Sequence, residues 1–227
     1  MKTIIVIGGS KGIGNAIINT LVNSHKVANI SRTAPSFKHA NLTHYSCDVT
    51  TENLPEIQHA DGLIYCPGSI NLKPISRLSI TDFKNDFEIN VLGAVKAIQH
   101  YLPILKKGHK PSILLFSTVA AKLGMPFHAS IATSKSGVEG LVKSLGAELA
   151  PTIRINAIAP TVTNTQLASK LLRNDKMIEN ITERHPLKKF LNPEEVADMA
   201  TFLMSDKAAS MSGQIFQMDC GIVSFKI

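Results

Sequence analysis

Short apolar runs alternate along the chain with longer stretches in which apolar residues recur at helical spacing. Thr3, Ile4, Ile5, Val6 and Ile7 form the first run. Apolar at successive positions and β-branched, it predicts a strand buried on both faces, as in a parallel sheet. After Gly8 and Gly9 the period changes, and Ile13, Ile17, Ile18 and Leu21 fall on one side of a helix. Comparable runs predict strands near 27–31, 43–47, 62–66, 112–117, 153–158 and 214–218, with helices between them. Two of those helices are long. Over 81–105 the stripe is Phe83, Phe87, Val91, Val95, Ile98 and Leu102; over 130–149 it is Ile131, Val138, Leu141, Val142, Leu145 and Leu149. Strands and helices alternating from end to end imply an α/β fold with one doubly wound parallel sheet of about seven strands. Its ligand crevice would lie beyond the carboxyl ends of those strands.

Length and charge narrow this picture. No Pro/Gly/Ser-rich linker, charge block, repeat or low-complexity segment divides the 227 residues, so residues 1–227 are read as a single domain. The longest apolar stretch, Ser112 to Ala121, is too short to span a bilayer, and the first strand follows the amino terminus with no cationic segment or cleavage site. No membrane partner and a cytoplasmic location are expected. A net charge of +7 and a pI of about 9.3 raise nucleic acid as a partner. Against it stand no Trp, three Tyr and no basic run with interleaved aromatics, so no nucleic acid is expected. Cys47, Cys66 and Cys220 show neither metal-ligand nor redox spacing; they are read as buried, reduced thiols, with no metal site.

Candidate chemistry begins in the first loop, Gly8, Gly9, Ser10, Lys11, Gly12, Ile13, Gly14. Glycines 8, 12 and 14, between a predicted strand and a predicted helix, let the backbone turn and approach a pyrophosphate. The first-turn amides of the new helix would face its charge. A carboxylate at the end of the second strand would accept the ribose hydroxyls of NAD and repel the 2′-phosphate of NADP. None stands there: from Met1 to Cys47 there is no Asp or Glu, while Lys11 lies in the loop and Arg32 follows the strand. Arg32 can meet a phosphate bidentately and Lys11 adds a point charge. The expected cofactor is NADP(H).

The Gly-x3-Gly-x-Gly spacing resembles the short-chain dehydrogenase/reductase family, and matches to that family's pattern continue along nearly the whole chain. The resemblance implies a Rossmann-type fold with Gly8, Ser10, Lys11, Gly12, Ile13 and Gly14 around the cofactor. It also implies that Asp48, with Val49 beside it in Cys-Asp-Val-Thr, contacts the adenine. Gly68 in Tyr-Cys-Pro-Gly matches the last glycine of the family's Asn-Ala-Gly motif. Asn90 matches the asparagine that orders a water in the proton path, and Lys135 the lysine that holds the nicotinamide ribose hydroxyls. Pro160, Val162 and Thr165 resemble the loop that holds the carboxamide and pyrophosphate, and about 165–190 resembles a lid over the substrate. In family members the two long helices also pair between subunits, which implies a homotetramer or homodimer.

The same resemblance exposes departures. In the family a serine orients the substrate oxygen, a tyrosine exchanges the proton while a hydride moves, and the lysine lowers the tyrosine pKa. The tyrosine position, four before Lys135, is Ile131, which carries no proton donor; the serine position is Thr118, with Ser117 beside it. Cys66 and Pro67 replace the Asn-Ala pair, and Cys220 replaces a glycine. His128, seven residues before Lys135, matches the Tyr-x6-Lys spacing of related enoyl reductases. It is either a substitute acid or a loop residue that caps the following helix or lines the pocket. Ser130 is read as the start of that helix.

Between Lys170 and Lys189 cations outnumber acids. That is either a solvated face or a surface for an anionic substrate such as an acyl thioester. Three readings follow. One is an NADP(H)-dependent oxidoreductase of a small carbonyl, alcohol or activated alkene, its proton coming from His128, Thr118 or a lysine-held water. The second is a cofactor-binding sensor or partner subunit without turnover, and the third, a nucleic-acid binder, rests on charge alone.

Overall fold

The β-branched runs lose least rotamer freedom on pleated strands, and that is where they fall. The computed structural model, which describes residues 1–225, has β1 at Thr3–Ile7, β2 at Lys26–Ser31, β3 at Leu42–Ser46 and β4 at Gly62–Tyr65. β5 follows at Ser112–Phe116, β6 at Arg154–Pro160 and β7 at Ile215–Met218. All pair in parallel, in the order β3-β2-β1-β4-β5-β6-β7. Every run marked out in the sequence is a strand whose ends move by at most two residues. The order reverses between β1 and β4, which opens the crevice expected of a doubly wound sheet.

Alternation along the strands builds two cores. Ile5 and Ile7 of β1 point to one face, packed with residues of α3 (Gly93–Leu105) and α4 (Ala129–Leu149); α1 and α2 are Gly12–Leu21 and Ile80–Phe87. Ile4 and Val6 point to the other face, against α1 and α6 (Pro193–Met204); α5 is Asp175–Arg184. Among the described residues no helix is long and apolar enough to cross a membrane.

The helix expected over 81–105 is not continuous. Between α2 and α3 the residues Glu88–Leu92 form a π turn, and Asn90 lies in it. Side chains satisfy carbonyls that the wider turn frees. Asn90 Nδ2 donates to the Asp86 carbonyl at 2.7 Å, and the Tyr65 hydroxyl, from the end of β4, donates to the Ile89 carbonyl at 2.7 Å. Along the stripe read through this segment Val91 and Ile98 are buried, whereas Phe87 is 40 % exposed.

Tyr65 and Gly93 are tightly matched, since a Cβ on Gly93 would lie 2.1 Å from the Tyr65 hydroxyl oxygen. Gly93→Ala is therefore expected to cost about 1–3 kcal/mol by overpacking. The cost should shrink when Tyr65→Phe is present, a coupling read from urea denaturation of both single variants and the double variant. Additive losses would mean that the two residues do not constrain each other.

Candidate active site

Beyond the carboxyl ends of β1, β2 and β4 lies a cleft of about 580 Å³. Gly8, Ser10, Lys11, Gly12, Ile13 and Gly14 line one side of it, Arg32, Thr33, Asp48 and Val49 another, and Gly68 and Thr165 close it. Two glycines are obligatory for geometric reasons. Gly8 has φ +80°, and a Cβ on Gly14 would lie 2.3 Å from the Gly8 carbonyl oxygen, so α1 could not approach β1. Lys11 precedes α1 in an extended conformation with no side-chain cap, and the first turn carries no acidic residue. The free amides of that turn, together with the helix dipole, fit an anionic group such as a pyrophosphate.

Asn29, which the sequence analysis did not single out, anchors this loop from the middle of β2. Fully buried, it accepts the Gly9 amide on Oδ1 at 3.0 Å. Its Nδ2 donates to Ser31 Oγ at 3.0 Å and lies 3.1 Å from His44 Nδ1. The one available signal was a polar residue within an otherwise apolar strand.

Arg32 is 78 % exposed, with Nη1 3.9 Å from Asp48 Oδ2. Asp48 accepts the Thr50 hydroxyl at 2.6 Å and the Thr50 amide at 3.0 Å, which hold its carboxyl below the usual range. An exposed ion pair of this kind is worth roughly 0–1 kcal/mol, so a phosphate can draw the guanidinium away at little cost.

Behind the cleft, Lys135 is 8 % exposed and Nζ donates to the Phe116 carbonyl at 2.8 Å. Burial pulls its ammonium down to about 8. Asn90 Oδ1 is buried and has no hydrogen-bond partner in the protein. Both atoms converge on Gly68, where a Cβ would stand 3.3 Å from Asn90 Oδ1 and 3.6 Å from Lys135 Nζ. A hydroxyl placed there meets an acceptor and a cation together, which fits a ribose.

The two hydroxyls at the end of β5 separate cleanly. Ser117 is buried and donates to Glu139 Oε1 at 2.7 Å, whereas half-buried Thr118 accepts the Ala120 amide at 3.3 Å and keeps its proton to donate. Ile131 is buried and lines neither cavity. Pro160 and Val162 lie at and just beyond the end of β6 outside the cleft lining, and the Val162 carbonyl accepts the Leu191 amide at 3.0 Å. Gln166 and Leu167, not picked out from sequence, line the cleft beside Thr165.

His128 lines a second cavity, of about 490 Å³, with Lys73, Ile75, Phe127 and Ala132. It precedes α4, but its side chain makes no cap bond. Nδ1 lies 2.7 Å from the Pro126 carbonyl, which requires the proton on Nδ1 and leaves Nε2 free. Ser130 stands at the start of α4, one residue from where the helix begins. It is fully buried and donates to Asp86 Oδ2 at 2.6 Å.

In the segment 165–190, α5 buries no residue. Lys188 pairs with Glu183 at 2.9 Å and Lys189 with Glu195, so two of its cations are already neutralised. His185 ties this segment to the end of β6: buried, it lies 2.7 Å from Thr161 Oγ1 and 2.6 Å from the Ile181 carbonyl.

A family model described as enoyl-(acyl carrier protein) reductase matches residues 12–223. A 2,5-dichloro-2,5-cyclohexadiene-1,4-diol dehydrogenase from Sphingobium indicum is 29 % identical over 243 residues, covering 98 % of this chain and 97 % of its own. A solved short chain dehydrogenase family protein from Francisella tularensis superposes with a TM-score of 0.89 at 27 % identity, over 99 % of this chain and 100 % of its own. ElxO with NADP bound does so with a TM-score of 0.89 at 25 % identity, again over 99 % and 100 %.

The buried ammonium makes stability depend on pH. Its folded value of about 8 lies below the ordinary 10.5, so between these values the unfolded chain binds more protons. Stability from this group therefore rises with pH across that window, by an amount on the order of 3 kcal/mol. Relative to Lys135→Met, wild type is expected to gain stability as pH rises from 8 toward 10.5 in denaturant titrations. A difference that ignores pH would exclude the ammonium as its source.

Proposed function

The chain belongs to the short-chain dehydrogenase/reductase family and is an oxidoreductase of it, and from this premise we propose that it uses NADP(H) on a small carbonyl, alcohol or activated-alkene substrate. One observation carries the cofactor choice: a glycine-lined cleft whose open helix end is flanked by Lys11 and Arg32, with Asp48 the one carboxylate in its lining. Asp48 stands at the end of β3 rather than β2 and is already held by Thr50. The NADP-bound state of ElxO supports the same choice.

Bound in this cleft, the reduced cofactor would supply the hydride. The first-turn amides of α1 hold the pyrophosphate, Lys11 and Arg32 the 2′-phosphate, and Lys135 with Asn90 Oδ1 the hydroxyls over Gly68. Thr118 donates a hydrogen bond to the substrate oxygen and so orients it. The proton would come from His128, Thr118 or a water held by Lys135; for His128 to serve, the substrate must extend from the cleft into the second cavity, which His128 lines. An imidazole is suited to this because Ile131 has no proton and Ser117 is committed to Glu139. The subunits would assemble as a homotetramer or homodimer in the cytoplasm, with exposed Phe87 and Leu92 contributing apolar surface.

NADPH is expected to bind at least about tenfold tighter than NADH, a difference of roughly 1.4 kcal/mol, and Arg32→Ala should remove most of it. Fluorescence titration of both nucleotides checks this, and equal affinities in the wild type would sink the cofactor assignment.

For the proton, ketones, enones and acyl thioesters are the substrates to assay. His128→Phe should lower kcat by on the order of 100-fold and erase its pH dependence while NADPH affinity stays nearly constant. An unchanged rate and profile would return the role to Thr118 or water. Absence of turnover in the wild type itself would leave a binding-only role.

A further inference from the structure

Beside Ile131 lies a polar cluster that cofactor binding does not use. Asp86, on α2, is 3 % exposed. Its Oδ1 accepts the Ser69 hydroxyl at 2.5 Å and its Oδ2 the Ser130 hydroxyl at 2.6 Å. Ser69 Oγ in turn accepts Asn90 Nδ2 at 3.0 Å, and that same Nδ2 donates to the Asp86 carbonyl. The loop after β4, the α2 segment with its π turn, and the start of α4 thus meet at one carboxylate.

A carboxylate this deeply buried is costly unless its charge is balanced. None of the ion pairs found among the described residues includes Asp86. Lys135 is the buried cation of the same region: its Nζ stands 3.6 Å from where a Cβ on Gly68 would be, and Ser69, the next residue in the chain, donates to Asp86, as does Ser130 from the helix that carries Lys135. Besides Asp86, the other group able to carry negative charge beside it is Cys66, just after β4. Burial pushes the Cys66 thiol up to about 12, so it is uncharged at neutral pH. Other groups around the site are spoken for. Glu139, one turn along α4, accepts from Ser117; Lys73 and Asp82 pair at 2.9 Å; and His128 Nδ1 is held by Pro126.

We propose that Asp86 is a positioning residue that supplies the buried negative charge opposing Lys135 and, through Ser69, fixes Asn90 with Oδ1 turned to Gly68. Where the family resemblance would have a phenol beside the lysine, this chain has Ile131, and Asp86 provides the anion from a different helix. The assignment takes its functional meaning from the oxidoreductase reading, but its first test needs no cofactor.

That test is a pH titration by NMR of the apo protein carrying ¹³Cε-labelled lysine, the Lys135 resonance being the one absent from Lys135→Met. In Asp86→Asn, which keeps the shape and removes the charge, the midpoint is expected to fall by about one pH unit or more. Cys66→Ala, which removes an uncharged thiol, should not lower it. A midpoint unmoved in Asp86→Asn, or lowered by Cys66→Ala instead, overturns the assignment. If Asp86→Asn does not fold, Asp86→Ser takes its place with the same expected direction. In parallel, NADPH affinity should be lost at lower pH in the Asp86 variant than in wild type. If NADPH binds neither protein, the cofactor reading fails while the NMR midpoint still decides the role of Asp86.

Discussion

The cleft depends on one close approach. α1 can start against β1 only because position 14 projects nothing toward the Gly8 carbonyl, 2.3 Å from where a Cβ would be. That contact fixes the direction of α1 and so aims its uncapped amides at the space between the diverging neighbours of β1. Asn29 carries the constraint one strand outward. By accepting the Gly9 amide it ties the loop to β2 and, through Ser31 and His44, to the β2–β3 side of the sheet. Rigid backbone donors are thereby set in place before any ligand arrives, and little ordering entropy remains to be lost on binding.

What was legible in the sequence is what local pattern determines. The β-branched runs and the glycine loop each declare their structure within a few residues, so the seven strands and the cradle followed from spacing alone. What was hidden arises from contacts between distant segments. The π turn at Glu88–Leu92 is held partly by Tyr65, which belongs to another strand, and no helical periodicity announces it. Ser130 does stand at the start of α4, but no local pattern shows that its hydroxyl goes to Asp86, 44 positions away in the chain. Nothing in the local pattern around Asp86 announces its partners, Ser69 and Ser130, which come from other segments. His128 was found from spacing to Lys135, yet spacing could not show that it opens into a cavity distinct from the glycine-lined cleft.

Net positive charge, at first a hint of nucleic acid, divides into parts with different physics. Lys11 and Arg32 border the cleft, and Lys188 and Lys189 are paired on the surface. Lys135 is different in kind, because its charge is bought out of water.

Around Gly68 the protein holds two groups at a disadvantage. Asn90 Oδ1 is buried without a protein donor, a situation that commonly costs 1–3 kcal/mol. Lys135 keeps an ammonium where burial disfavours it, with the Phe116 carbonyl as its hydrogen-bond partner. A purely structural core would replace both with apolar atoms at a gain in stability. Their convergence on one glycine makes sense if the deficit is relieved by a hydroxyl-bearing ligand that donates to the amide oxygen and accepts from the ammonium. Part of the binding energy is then stored in the fold as unsatisfied polarity. The cluster of Ser69, Asp86 and Ser130 keeps that polarity from relaxing: Asn90 Nδ2 is held on the far side, so the amide cannot rotate its oxygen away from the site. Ile131 offers no proton, whereas Asn90 Oδ1 and Lys135 remain placed to meet a hydroxyl, so ligand binding and proton transfer are separable properties of the site.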